Sequence, residues 1–199
     1  AELAAVCEVK HAVAMVNGTA ALEVALRVVG VDPGSEVLMP SLTFIATANA
    51  VSHLHAVPHF VDVEDESLGI DSDALLRHLK QIGRQTSGGF FNKETGRRIS
   101  AIVPVHVFGH PAAMDELNAV ASTFDLPVIE DAAEALGSQY KQKQCGSLGH
   151  AGAFSFNGNK ILTTGGGGAV VTNDGKIADL ARHLSSTAKL AHPWKFEHD

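Results

Sequence analysis

A chain of 199 residues, 45% apolar and 19% charged, carries enough apolar material for one well-buried core. Its net charge of −7 argues against a nucleic-acid or anionic-membrane surface, so any anion site must be local, built from backbone amides and hydroxyls. No apolar run approaches the ~20 residues needed to span a bilayer, and Cys7 and Cys145 have neither metal nor redox spacing, a usage that suits a reducing cytoplasm.

The chain opens at Ala1-Glu2-Leu3-Ala4-Ala5-Val6, which reads as the middle of a helix, and stops at Phe196-Glu197-His198-Asp199 with no terminating element. Both ends are therefore expected to be cut, with residues 1–199 forming one large domain of a longer protein. There is no signal-peptide pattern at the start. Asn17-Gly18-Thr19-Ala20-Ala21-Leu22 precedes an apolar-periodic helix that runs to about Val29 and ends at Gly30. A Gly-Thr pair at a helix start offers N–H groups and a hydroxyl to a phosphate. The plainer reading of the same residues is a capped helix.

Residues 37–40 then read as a strand, 44–54 as an Ala-rich helix, 57–63 as a strand and 71–81 as a helix. Residues 83–98 are polar and Gly-containing, an exposed loop or hairpin. A strand over 99–105, a helix over 112–124 behind Pro111, and a strand over 128–130 complete the series. This βαβα rhythm predicts a parallel sheet with helices on both faces. Ligands in such sheets bind at the carboxyl ends of strands, where Pro40, His106 and Asp131 fall.

Lys160 lies in Phe154-Ser155-Phe156-Asn157-Gly158-Asn159-Lys160, ahead of the run Gly165 to Gly168, which leads into the strand-like Ala169-Val170-Val171-Thr172. The order is wrong for a Walker loop, because the lysine precedes the glycines. A Rossmann fingerprint fails too, since no strand-to-helix turn carries them. The glycines fit a tight turn with left-handed positions. Asp131 ends the run Leu126-Pro127-Val128-Ile129-Glu130, and could alternatively cap a helix through Asp131-Ala132-Ala133-Glu134. A lysine on a turn between strands, with an acid at another strand's end, suits pyridoxal phosphate. The lysine would form the imine, and the acid would keep the ring nitrogen protonated. His53 and His55, or His106 and His110, make no convincing metal spacing, and no metal is expected.

Four motifs occur in order: Asn17-Gly18-Thr19-Ala20-Ala21-Leu22, Pro40-Ser41-Leu42-Thr43-Phe44, Glu130-Asp131-Ala132-Ala133-Glu134-Ala135-Leu136-Gly137 and Phe154 to Lys160. Together they resemble the DegT-type sugar aminotransferases, pyridoxal-phosphate enzymes of the aspartate-aminotransferase fold, from about Val13 to the end of the chain. The resemblance implies a fold-type-I large domain, a mostly parallel sheet sandwiched by helices, with the C-terminal small domain missing. It implies that Lys160 forms the imine and shuttles a proton, and that Asp131 pairs with the pyridinium. Gly18, Thr19 and Ser155, with Ala20 alongside, would hold the phosphate, and Phe44 would stack on the ring. Glu134 stands where the family commonly has Gln, near the cofactor's 3-hydroxyl. A carboxylate beside a phenolate must be protonated or turn away.

The 83–98 insertion, the run from Val103 to His110 and the tail Ser185-Ser186-Thr187-Ala188-Lys189 are similar to aminotransferases of the legionaminic-acid type. That likeness implies amino transfer from L-glutamate to a UDP-linked 4-keto-6-deoxy-hexosamine, in a cytoplasmic homodimer whose active site is shared between subunits. Two alternatives stay open. One is a sugar dehydratase of the same fold, in which the lysine is replaced by histidine or an iron–sulfur cluster is added; Lys160 and two isolated cysteines speak against it. The other is a regulatory relative without catalysis, which would have no need of the Lys160/Asp131 pair.

Overall fold

The computed structural model describes residues 1–189. The six α-helices among them are α1 (Glu2–Val6), α2 (Gly18–Val28), α3 (Ile45–His53), α4 (Ser72–Ile82), α5 (Met114–Thr123) and α6 (Gly175–Leu184), with a short 3-10 turn at Val107–Gly109. The strands are β1 (His11–Met15), β2 (Glu36–Pro40), β3 (Val57–Val61), β4 (Gly83–Thr86), β5 (Gly89–Asn92) and β6 (Ile99–Ile102). They continue with β7 (Ile129–Asp131), β8 (Gln139–Tyr140), β9 (Lys143–Gln144), β10 (Ala151–Ser155) and β11 (Gly168–Thr172). The open end expected at Phe196 to Asp199 lies outside the described residues.

Two sheets, ordered β3-β2-β6 and β7-β10-β11-β1, adjoin through the parallel bridges Ile102–Val128 and Val105–Asp131. The neighbouring strands are parallel except at β11, which runs antiparallel to both β10 and β1. The expected parallel sheet is thus present with one reversed strand. All five residues of β2 are buried, as a strand covered on both faces requires. Val37 and Met39 join one apolar core while Leu38 joins the other, the alternation that a pleated strand imposes.

On the first face α2 packs against β10, β11, α3 and α6. Its Ala21, Leu22, Ala25 and Leu26 are buried at helical spacing, and burying each leucine contributes about 2 kcal/mol. On the second face Leu75, Leu79 and Ile82 of α4 meet Met114, Leu117 and Val120 of α5 over Ile102 and Val128.

Several boundaries differ from expectation for identifiable reasons. The strand expected over 99–105 ends as β6 at Ile102, because Pro104 has no N–H to continue a ladder. Its carbonyl still accepts from Asp131 N at 2.9 Å. The helix expected from 112 begins at Met114, with Ala113 as its cap and the Ala112 N–H bonded to His106. The 83–98 insertion is the β4–β5 hairpin, but it is not wholly exposed. Phe90 is buried against Phe124 with ring centroids 4.8 Å apart, and Asn92 donates to the buried Glu36.

Candidate active site

A cavity of about 420 Å³ opens where β6, β7 and β10 end. Gly18, Thr19, Phe44, Asp131, Glu134, Ser155 and Lys160 all line it, although they come from four separate segments of the chain. Ala20 does not line it: its N–H is taken by the capping Asn17 Oδ1 at 2.8 Å.

At one end of the cavity the start of α2 faces the end of β10. First-turn N–H groups have no intrahelical acceptor and sit at the positive pole of the helix. A Cβ on Gly18 would lie 2.7 Å from the Ser155 Cβ, so only glycine lets the helix start approach this hydroxyl. The glycine run supports the same junction from behind. Gly168 abuts Asn17, where a Cβ would come within 2.5 Å of its carbonyl oxygen. Gly165 and Gly167 take φ of +81° and +111°, left-handed values open to glycine. The result is a turn that returns from Lys160 into β11.

Asp131 closes β7 and is only 5% exposed. Thr47 donates to its Oδ2 at 2.7 Å, and the Ala133 N–H to its Oδ1 at 3.2 Å. Burial pushes the carboxyl up from its ordinary range, and the bonds from Thr47 and Ala133 N only partly oppose this. A buried acid with two neutral donors is well suited to a cationic ring N–H. Thr47, on α3 one turn after Phe44, was not foreseen.

The Lys160 side chain is 11% exposed, and its Nζ contacts the Glu134 carboxylate. The same nitrogen sits 5.6 Å from the centre of the Phe44 ring. Glu134 is therefore turned onto the lysine.

A second acid system escaped the sequence reading. Glu130 is fully buried beside Asp131 and accepts from Gly146 N, Leu148 N and Gly149 N at 2.6–2.7 Å. His106 Nε2 lies 2.9 Å from Glu130 Oε2, and the Ala112 N–H points at His106 Nδ1 from 3.1 Å. A ring that accepts at Nδ1 needs a lone pair there, so the hydrogen bonds define a neutral imidazole donating from Nε2 to Glu130. This assembly ties β7, the β10 approach and the turn after His106 into one frame.

The strand order with one reversed strand, and a lysine and a strand-end aspartate in one cavity, define a pyridoxal-phosphate transferase large domain of fold type I. The chain belongs to the DegT/DnrJ/EryC1/StrS aminotransferase family, whose sequence model matches residues 1–198. Its cofactor is pyridoxal phosphate. It is 44% identical over 178 residues to GDP-perosamine synthase of Caulobacter vibrioides, covering 89% of this chain and 44% of that protein. The structure of DesI in the presence of its TDP-sugar product matches with TM-score 0.79 and 36% identity, over 92% of this chain and 42% of that one. NtdA of Bacillus subtilis, with bound cofactor PMP, matches with TM-score 0.80 and 26% identity, over 99% of this chain and 41% of that one. The chain thus spans less than half the length of these relatives.

Proposed function

We propose that the intact protein is a cytoplasmic aminotransferase that moves an amino group from L-glutamate to a 4-keto nucleotide sugar. The sugar we assign is a UDP-linked 4-keto-6-deoxy-hexosamine, made for surface-polysaccharide or nonulosonic-acid synthesis. Residues 1–199 supply the cofactor-binding large domain, and a second copy of the protein completes the site as a homodimer. The observation that carries this reading is the convergence of Lys160, Asp131 and the Gly18–Ser155 junction on one cavity. Substrate and pathway are drawn from the nucleotide-sugar relatives and from the motif resemblance.

When bound, pyridoxal phosphate supplies a pyridinium ring that withdraws negative charge from the carbon bearing the amino group. The first-turn N–H groups of Gly18 and Thr19 and the Ser155 hydroxyl would hold its phosphate. Asp131 would keep the ring nitrogen protonated, with Thr47 and Ala133 N fixing the carboxylate's orientation. Phe44 would cover one ring face. Lys160 Nζ would attach the cofactor, and once displaced by an amino substrate it would carry the proton between donor and acceptor carbons. Glu134, already against Nζ, would keep the displaced amine, and the ammonium it becomes on taking the proton, within reach of the reacting carbon.

The test is to incubate the intact protein with pyridoxal phosphate, L-glutamate and a set of keto-sugar nucleotides. Release of 2-oxoglutarate that depends on the nucleotide sugar is expected. Elimination of a hydroxyl from the sugar, with no 2-oxoglutarate formed, would instead identify a dehydratase.

A further inference from the structure

Phe108 is the most exposed large apolar side chain among the described residues, at 92%, yet it lines the cavity, which places it at the rim. Its backbone is left-handed, with φ 50° and ψ 27°, a conformation that L side chains disfavour. Seven other non-glycine residues share that region, Glu8, His55, Leu68, Asp125, Lys141, Gln142 and Ala188, but none of them lines this cavity.

The turn carrying Phe108 has little freedom to relax. Gly109 donates to the His106 carbonyl at 3.0 Å, and His106 is itself pinned by Glu130 and Ala112. Gly109, at φ +82°, sits so close to the Glu134 carbonyl oxygen that a Cβ would come within 2.6 Å of it. A buried frame thus holds an unpartnered aromatic ring outward in a strained geometry. Such strain concentrates where ligands bind.

We propose that Phe108 is the stacking platform for the nucleobase of the sugar nucleotide, an inference that rests on the nucleotide-sugar reading above. With the keto carbon at Lys160, the diphosphate and base must extend outward past the rim. Phenylalanine offers no charge or donor to a diphosphate. It offers a π face, and the base is the part of the substrate with a matching one.

The experiment uses the intact, cofactor-loaded protein and calorimetric titration with UDP, TDP and GDP as probes. The diphosphate that binds wild type most tightly should bind Phe108→Gly about five-fold or more weakly, the loss expected for one stacked base. Phe108→Tyr should bind it as wild type does. Phe108→Gly should melt no lower than wild type, since glycine accepts the left-handed turn, so weaker binding is not misfolding. Equal affinity in wild type and Phe108→Gly overturns the inference and leaves the nucleotide-sugar reading standing. A changed oligomeric mass with unchanged affinity also overturns it, by making the ring a subunit contact. If none of the three binds wild type while Lys160 attaches pyridoxal phosphate, the nucleotide-sugar reading fails and takes the inference with it.

Discussion

Glu130 and Asp131 are consecutive acids at the end of one strand, both buried, and they differ in how many donors meet them. Glu130 accepts from three backbone N–H groups and faces His106, a full set for a carboxylate. Asp131 accepts from one hydroxyl and one backbone N–H, and otherwise faces the cavity. Strand alternation sends the two side chains to opposite faces of the sheet. The saturated acid builds the frame, and the under-supplied acid is left for a ligand. Glu36 at the start of β2 repeats the saturated pattern, accepting from Thr95 at 2.5 Å, Asn92 at 3.0 Å and facing His59 at 2.8 Å. Donor count, more than burial, separates Glu130 and Glu36 from Asp131.

The largest effect that would sharpen this contrast is expected at Glu130. Glu130→Ala strands three backbone donors and one histidine in the core, and should cost about 3–5 kcal/mol. Urea unfolding measures it; a loss below about 1 kcal/mol, no more than one ordinary hydrogen bond, would break the distinction. Asp131→Asn should behave in the opposite way. Its folded pKa is raised, so stability falls as pH climbs through that pKa and the charge becomes buried. Near neutral pH the cofactor-free Asn variant should therefore melt no lower than wild type. Its retention of pyridoxal phosphate should weaken about ten-fold or more, the loss of one charge-assisted bond. A large drop in melting temperature would make Asp131 a second structural acid.

The smallest effect lies at Glu36. Burial tends to raise its pKa, but bonds from Thr95, Asn92 and His59 outweigh that and hold it below the usual glutamate range. Its contribution is then complete above the unfolded value near 4.5 and is lost as pH falls through the lower folded value. Protection of the β4–β5 hairpin amides, relative to their intrinsic exchange rates, should fall over that acid window ahead of the sheet. Glu36→Gln should remove the dependence, and an unchanged profile in that variant would detach Glu36 from the hairpin.

The parts of this arrangement that sequence could reveal are those written in local order. Hydrophobic periodicity marked β2, β3, β6, β7 and the helices α2 to α5, whereas β1, the short β8–β9 pair and α6 were not read from it. Lys160 before its glycines, Gly18-Thr19 at a helix start and Asp131 at a strand end were legible because each carries a local pattern. Thr47 meets Asp131 across 84 positions, a separation that no periodicity reports. Glu130 hid inside an apolar run, and three of its partners are backbone N–H groups with no side-chain signature. Ala20 looked equivalent to its neighbours until the Asn17 cap took its N–H. Phe108 gave no warning, because its interest lies in a backbone angle.

The central claim, that Lys160 is the cofactor lysine of a site completed by Asp131, is tested most directly by trapping. The intact protein is titrated with pyridoxal phosphate, reduced with borohydride, digested and mapped by mass spectrometry. A visible absorbance band and one reduced adduct on Lys160 are expected, with both absent in a Lys160→Ala variant that remains folded. An adduct on another lysine, or no band at saturating cofactor, would contradict the account.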